Sequence, residues 1–350
     1  MTDFVLTTAE PKTMLSHLAL YGLATIVEQG GIDGVRLSWT DGMASRPVLT
    51  APQATPETIG EIVRAHAAQH CTPESWPSQR FNGGNKPRGL MSPRLSTITT
   101  TDGWRSLQQQ RHDVLDKLTQ EWALLDLRLI AALGEPSYWS FNRQGQSYQD
   151  DGASRLEMQP RQQGSEFVGN RIRPLAAAVA ARTAAAVSDG LLGLSVRDEI
   201  GEDASTSRTP TGFASPGPTD NAVAWCAVWG ISQFPIAHRI RIRVPGGREG
   251  FAVTTGHIGR GIAGYFYVPV WDGQWRTARL RSIVASGQLG RFARTGMPSQ
   301  EGLTDAPAAG RWLASRGVDA VVRFTVERHG SDSAPERRAA LGELLKTGRR

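Results

Sequence analysis

The sequence predicts an α+β protein, with mixed helices followed by a largely antiparallel, arginine-rich sheet in the second half. Two observations carry this. Through the first half, long apolar segments repeat at helical spacing, as in "MLSHLALYGLATIVEQGG" and "DGWRSLQQQRHDVLDKLTQEWALLDLRLIAALG". From residue 239 the pattern changes to strict alternation, with Ile240, Ile242 and Val244 on one side and Arg239, Arg241 and Arg243 on the other.

Each element follows from local signals. "DFVLTT" reads as a short strand. Leu15, Leu18, Leu20, Leu23, Ile26 and Val27 then give an amphipathic helix that Gly30 and Gly31 stop. "GVRLSWTD" is a strand. "TPETIGEIVRAHAAQHC" is a helix with Thr55 as N-cap and Pro56 at its first position, where the missing amide is harmless. Asp102 or a neighbour caps one long helix that runs to Gly134. Residues 142–173 are polar and read as a long connection or an exposed insertion. "PLAAAVAARTAAAVSDG" is an alanine-rich helix, and residues 197–220, acidic and then rich in Ser, Thr, Pro and Gly, predict a mobile loop. "TDNAVAWCAVWGI" is a short buried helix. Pro245, Gly246 and Gly247 turn a hairpin, "GYFYVPV", "QWRTARLRSIV" and "VDAVVRFTVER" are strands, and "APERRAALGELLKTGRR" is a terminal basic helix. Three regions result: 1–140, an N-terminal α/β region with a basic loop at 80–94; 141–220, a helix and flexible polar linkers; and 221–350, a basic β-rich region with a C-terminal helix.

Composition narrows the function. Of 350 residues, 39% are hydrophobic and 21% charged, a globular balance. No apolar run approaches the roughly 18 residues that cross a bilayer, and the N-terminus lacks the basic-then-apolar order of a signal peptide, which predicts a cytoplasmic protein with no membrane partner. Cys71 and Cys226 stand far apart without a CxxC, so neither a disulfide framework nor a cysteine zinc site is indicated. The net charge is +6, and it is unevenly spread. Between Arg239 and Pro298 there are ten arginines against two acids, Glu249 and Asp272. Such a local excess attracts phosphate backbones, although a solvated sheet face would have the same composition.

The second basic stretch is "RFNGGNKPRGLMSPR", residues 80–94, which holds Arg80, Lys86, Arg88 and Arg94 and no acid. Its glycines let backbone amides approach a phosphate, its prolines limit the entropy of the unbound loop, and Asn82, Asn85 and Lys86 can reach base edges. Arg239, Arg241 and Arg243, with Arg248 beyond the turn, repeat at about 6.6 to 6.8 Å, near the phosphate spacing of a single strand. Tyr265, Phe266, Tyr267, Trp271 and Trp275 interleave with this stretch and offer stacking surfaces, or a core.

Other motifs are weaker. His66 and His70 sit four apart on a helix, but no glutamate lies between them, and a surface pair without metal is expected. "GRGIAG" matches a dinucleotide fingerprint in letters, yet a strand rather than a helix follows it. "GNKPRG" lacks the GK[ST] ending of a phosphate-binding loop. "GHIGRGIAG" offers a glycine-rich loop with His257 as an acid or base, or a plain turn. Nothing demands an enzyme, a cofactor or a metal.

The opening helix "MLSHLALYGLATIVEQGG" after a short strand, and "AVAWCAVWGISQFPIAHR" running into arginine-rich strands, resemble a known set. They are similar to the compact large-subunit proteins of type I CRISPR interference (Cascade) complexes, the I-U/I-G group. The resemblance implies a subunit at the foot of an effector complex that contacts the 5′ side of the guide RNA. It also implies help in recognising the short motif beside double-stranded target DNA, and support for the displaced strand. Implied partners are the backbone and other subunits of the complex, and a helicase–nuclease recruited on target binding. Two rival readings come from the residues themselves: a metal-independent endoribonuclease that trims guide-RNA precursor with His257, and a scaffold whose arginines pair with acidic proteins.

Overall fold

The computed structural model describes residues 2–42, 45–83, 86–95, 98–137, 152–156, 167–238, 252–259, 264–297, 305–331 and 334–348. Strand β1 (Thr2–Val5), helix α1 (Met14–Gln29), β2 (Arg36–Trp39) and β3 (Pro47–Ala51) open the chain. The strands form an antiparallel sheet in the order β1-β3-β2, with Phe4 and Leu37 both opposite Leu49. Helix α1 lies against β3. Its apolar spacing predicts one buried side, but between Met14 and Val27 nearly every residue is buried, Ser16, His17 and Thr25 included. The helix is enclosed because other helices cover the faces that the sheet leaves open.

Those helices come from both halves of the sequence. Helix α2 (Pro56–His70) has the expected Thr55 cap, whose side chain accepts from the Thr58 amide at 3.1 Å. The chain continues through a 3₁₀ turn at Trp76–Ser78, β4 (Arg80–Phe81) and β5 (Arg88–Gly89) to α3 (Thr101–Gln120) and α4 (Leu124–Leu133). The single helix expected over 102–133 is therefore two, broken where Trp122 adopts a left-handed backbone at φ 55°. A π-turn at Val168–Ile172 leads into α5 (Arg173–Ala180) and α6 (Ala184–Leu192). The expected alanine-rich helix is bent by 117° between these two. Arg182 causes the break by turning inward, donating to Asp220 at 2.8 Å, Glu199 at 2.6 Å and the Arg197 carbonyl at 2.6 Å.

Residues 197–220, expected to be mobile, are organised around one buried carboxylate. Asp198 Oδ1 accepts from the Gly201 amide at 2.9 Å, Thr209 Oγ1 at 2.5 Å and Asn221 Nδ2 at 3.0 Å. Its Oδ2 accepts from Ser207 Oγ at 2.5 Å and the Thr219 amide at 3.2 Å. Burial alone would raise the Asp198 pKa, but the donors of Ser207, Thr209, Thr219 and Asn221 outweigh it and hold the carboxyl below its ordinary value. The small polar residues that suggest disorder by composition are its ligands.

Helix α7 (Asn221–Gly230), the expected buried helix, is capped by Asp220, which accepts from the Ala222 amide at 2.8 Å. It crosses α1 at a contact made by two glycines. A Cβ on Gly22 would lie 1.8 Å from the Cys226 carbonyl oxygen, and one on Gly230 would lie 2.1 Å from the Leu18 carbonyl oxygen. A 3₁₀ turn at Ile231–Gln233 follows, then β6 (Ile236–His238), β7 (Ala252–Thr254), β8 (His257–Ile258), β9 (Gly264–Trp271), α8 (Thr277–Ala285), α9 (Gly287–Ala293), α10 (Ala306–Ser315) and β10 (Val318–Ser331). The chain ends in β11 (Ala334–Ala339) and β12 (Glu343–Lys346).

Two expectations change here. "QWRTARLRSIV" is a helix rather than a strand: in α8 the buried Thr277, Leu280, Ile283 and Val284 share one face at helical spacing. The expected C-terminal helix is two strands. Fourteen-residue β10 pairs with β9 along one edge, and its other edge pairs with β12 and then β11. An open edge of that length is a row of unsatisfied donors and acceptors, which outweighs the helix propensity of Ala, Leu and Glu. Among the described residues all strand pairings are antiparallel, and helices and sheets together make the fold α+β as predicted. No single described helix is long and apolar enough to cross a membrane.

Gly22→Val is expected to lose at least about 3 kcal/mol of stability, because the overlap is with backbone rather than a yielding side chain. Gly287→Ala, at the start of α9 where a Cβ would meet nothing within 4 Å, should keep the denaturation midpoint or raise it, by up to about 1 kcal/mol of stability. Asp198→Ala should cost on the order of 3 kcal/mol and expose residues 197–220 to protease, because several buried donors lose their acceptor. The native contribution of Asp198 is present at neutral pH and should fade as pH falls below about 4, where the unfolded carboxyl titrates, measurable by urea denaturation against pH.

Candidate nucleic-acid interface

Loop 80–94 is a small hairpin on a buried root. Arg80 pairs with Gly89 and Phe81 with Arg88. Phe81, Leu90 and Met91 are buried. The Leu90 amide donates to the Gln79 carbonyl at 2.9 Å. Helix α3 holds the returning arm through Arg111, whose Nη1 donates to the Leu90 carbonyl at 2.8 Å while Nη2 lies 2.7 Å from Glu135 Oε2. Asn82 and Lys86 are exposed at the tip, and Asn85 lies outside the described residues.

The cations of this hairpin are directed by backbone. Exposed Arg80 rests on the π-turn, with Nη2 3.4 Å from the Gly169 carbonyl. The guanidinium fits against the bare Gly169 backbone, and a Cβ there, 2.0 Å from Arg80 Nη1, would displace it. Arg88 is half-buried, and its Nε has no hydrogen-bond partner among the described residues. Half-buried Arg94 donates through Nη2 to the Ser154 carbonyl at 3.4 Å. That last contact leads to the second basic segment. The next amide, of Arg155, donates to Thr254 Oγ1 at 2.9 Å.

Thr254 ends β7, and β7 pairs antiparallel with β6, setting Ile236 opposite Thr254 and His238 opposite Ala252. These strands bracket the predicted arginine hairpin. Arg239, Arg241, Arg243 and Arg248 themselves lie outside the described residues. The structure thus brings the base of loop 80–94 against residues 152–156, and these against the base of segment 239–251.

His257 sits three residues past Thr254, on β8 opposite Phe266. Its pKa is pushed down to about 3, first by burial and then by the charges of Arg155, Arg337 and Arg294. An imidazole so depressed is a weak base at neutral pH, far from the value that general acid–base work favours. Sequence reasoning missed Arg155, Arg337 and their convergence with Arg294, because they come from a polar connection, from β11 and from the turn after α9. Counting charge along the chain cannot show such a grouping.

Several arginines of the predicted basic sheet are elsewhere. Arg279 and Arg281 are on α8, and Arg279 lies over the Trp275 ring at 4.5 Å. Of the aromatics offered for stacking, Phe266, Tyr267, Trp271 and Trp275 are core residues. Tyr265 is half-buried, with the Arg323 guanidinium 5.5 Å from its ring centre.

His66 and His70 are buried, not a surface pair. Their i,i+4 spacing on α2 meets the i,i+4 spacing of Trp225 and Trp229 on α7, with His66 4.4 Å and His70 4.7 Å from the Trp229 ring. Trp225 Nε1 donates to His66 Nδ1 at 3.2 Å, so the neutral His66 carries its proton on Nε2. Burial, with His70 beside it, lowers the His66 pKa well below the usual value. Among the described residues no group of three His, Cys, Asp or Glu side chains is placed to hold a metal ion.

His257 accepts protons in the unfolded chain below about pH 6.5 and resists them in the native state, so its contribution falls as the medium is acidified. Between pH 7.5 and 5.5 His257→Gln should lose about 1.4 kcal/mol less stability than the parent. Equal losses in the two proteins, measured by denaturant titration, would contradict this account of the cluster.

No protein-family model matches the chain, and no curated protein matches it.

Proposed function

We propose that the chain is a nucleic-acid-binding, non-enzymatic subunit of a CRISPR RNA-guided interference complex. In this reading it contacts the 5′ side of the guide RNA and double-stranded target DNA. It takes part in recognising the target-adjacent motif, steadies the unwound strand, and works in the cytoplasm beside the backbone subunits and a recruited helicase–nuclease. The observation that carries the reading is the run from Arg94 through Ser154 and Arg155 to Thr254, which makes the bases of two cation-rich segments neighbours. Two separate solvated patches would not need that continuity, whereas a groove for a polyanion does.

The roles divide by chemistry. Arg80, Arg88 and Arg94, with Arg239, Arg241, Arg243 and Arg248, would neutralise phosphates and set position. Asn82, Asn85 and Lys86, at the hairpin tip in the sequence, would reach base edges of the short motif. The environment of His257 supports a binding rather than a cleaving role, since the depressed imidazole is a poor proton acceptor.

Lys86→Ala combined with Arg88→Ala should weaken binding of target duplex on the order of tenfold and reduce the salt slope by about one for each phosphate no longer neutralised. Equal affinity and slope in the double variant would overturn the assignment. Specific cleavage of repeat RNA in EDTA that His257→Ala abolishes would replace it with the nuclease reading. Assembly that survives nuclease treatment unchanged would favour a protein scaffold instead.

A further inference from the structure

A cleft of about 380 Å³ opens on the far side of the 72–79 turn, between the C-terminal ends of α2 and α3 and the start of α4. The basic hairpin does not use it. Its floor holds Asp126 and Trp76, both buried, together with His70. Its wall carries Glu74, Lys117, Glu121 and Trp122.

The polar accounting at the floor leaves one acceptor open. Asp126 Oδ1 takes both Trp76 Nε1 at 2.6 Å and His70 Nε2 at 2.6 Å. His70 Nδ1 donates to the His66 carbonyl at 2.6 Å, which holds the ring with its Nε2 edge on Asp126 Oδ1. Asp126 Oδ2 accepts no hydrogen bond from the described residues. Asp126 is 5% exposed and lines the cleft, so a donor group that enters there can take the place of water on Oδ2.

The wall limits what that donor is. Lys117 Nζ lies 3.9 Å from Glu121 Oε1 and His70 lies against Asp126, while Glu74 has no ion-pair partner among the described residues. The lining is acidic in a chain whose net charge is +6. Trp122 stands over it 80% exposed, on a left-handed backbone at φ 55° that bulky side chains rarely adopt. A tryptophan held out of the core by its own backbone is a stacking surface. Flat face for stacking, positive charge for Glu74, and an N–H edge for Asp126 Oδ2 are united in one group, the guanidinium.

We propose that the Trp76–Asp126–Trp122 cleft binds a guanidinium group, with its face on the Trp122 indole and its N–H edge on Asp126. The source is either a free small guanidine or an arginine side chain of a partner polypeptide. The test uses the full chain, with ethylguanidinium, ethylammonium, guanosine and a blocked Gly-Arg-Gly peptide as probes, read by calorimetry and by the Trp122 indole resonance. Ethylguanidinium should bind saturably at millimolar concentration or below, better than ethylammonium, and Trp122→Ala should weaken it about tenfold. Glu74→Gln, an exposed change that leaves the floor intact, should weaken it as well. Tighter binding of the peptide assigns a polypeptide arginine, and equal binding assigns a small guanidine. Absence of saturable ethylguanidinium binding, unchanged affinity in both variants, or preference for neutral guanosine would overturn the proposal. DNA binding by the Lys86→Ala, Arg88→Ala protein does not enter this test, so the two readings fail separately.

Discussion

The closeness of α1 to α7 is the constraint on which the rest depends. At Gly22 and Gly230 each helix presents bare backbone to a carbonyl of the other. At such a separation side chains on either side of the crossing interlock over many short contacts, each worth only about 0.1–0.2 kcal/mol. Because α1 comes from the first predicted region and α7 from the third, this one crossing ties the sheet β1-β3-β2 to the segment that feeds β6. It also fixes the distance between α2 and α7, and so allows two histidines and two tryptophans to fit as one four-ring cluster. Any widening would open a void beside the His66 and His70 rings and take Trp225 Nε1 away from His66 Nδ1.

Polar groups do much of the bracing around that crossing. Asp198, Arg182 and Arg111 are each buried, and each gathers partners from segments with no regular structure. A buried charge is tolerable only when polar or charged partners compensate it, as the Leu90 carbonyl and Glu135 do for Arg111, so each group fixes the segments that supply its partners. Asp198 shapes residues 197–220, Arg182 turns the chain between α5 and α6, and Arg111 roots the basic hairpin. The chain can therefore hold long loops in place although they bury little apolar surface.

This explains what was legible in the sequence. Elements dominated by local signals were readable: β1, β2, the Thr55-capped α2, α7 and β10 all stand where apolar pattern and capping residues put them. Errors arose where distant partners decide. Nothing within 334–348 reveals that β10 needs an edge partner, and nothing near Trp122 reveals that its backbone reverses there. The i,i+4 histidines were visible, but their matching tryptophans lie more than 150 residues away. Loop 80–94 was legible as a basic feature. That Arg94 touches Ser154, and that Arg155 reaches toward Thr254, belongs to tertiary structure alone.

Segment 71–94 turns from one sign of charge to the other within a few residues, and α3 backs both parts. Arg111 grips the hairpin arm, while Val114, Lys117 and Leu118, one and two turns further along the same helix, face the cleft. A polyanion drawn to Arg80, Arg88 and Arg94 meets Glu74 at the next step, where like charge lowers its occupancy. A cation is sorted the opposite way. On the two readings proposed, one rigid helix keeps surfaces of opposite preference adjacent without letting either ligand occupy the other's place. The separation is set by the register of α3, because the side chains that serve each surface are fixed on one helical frame.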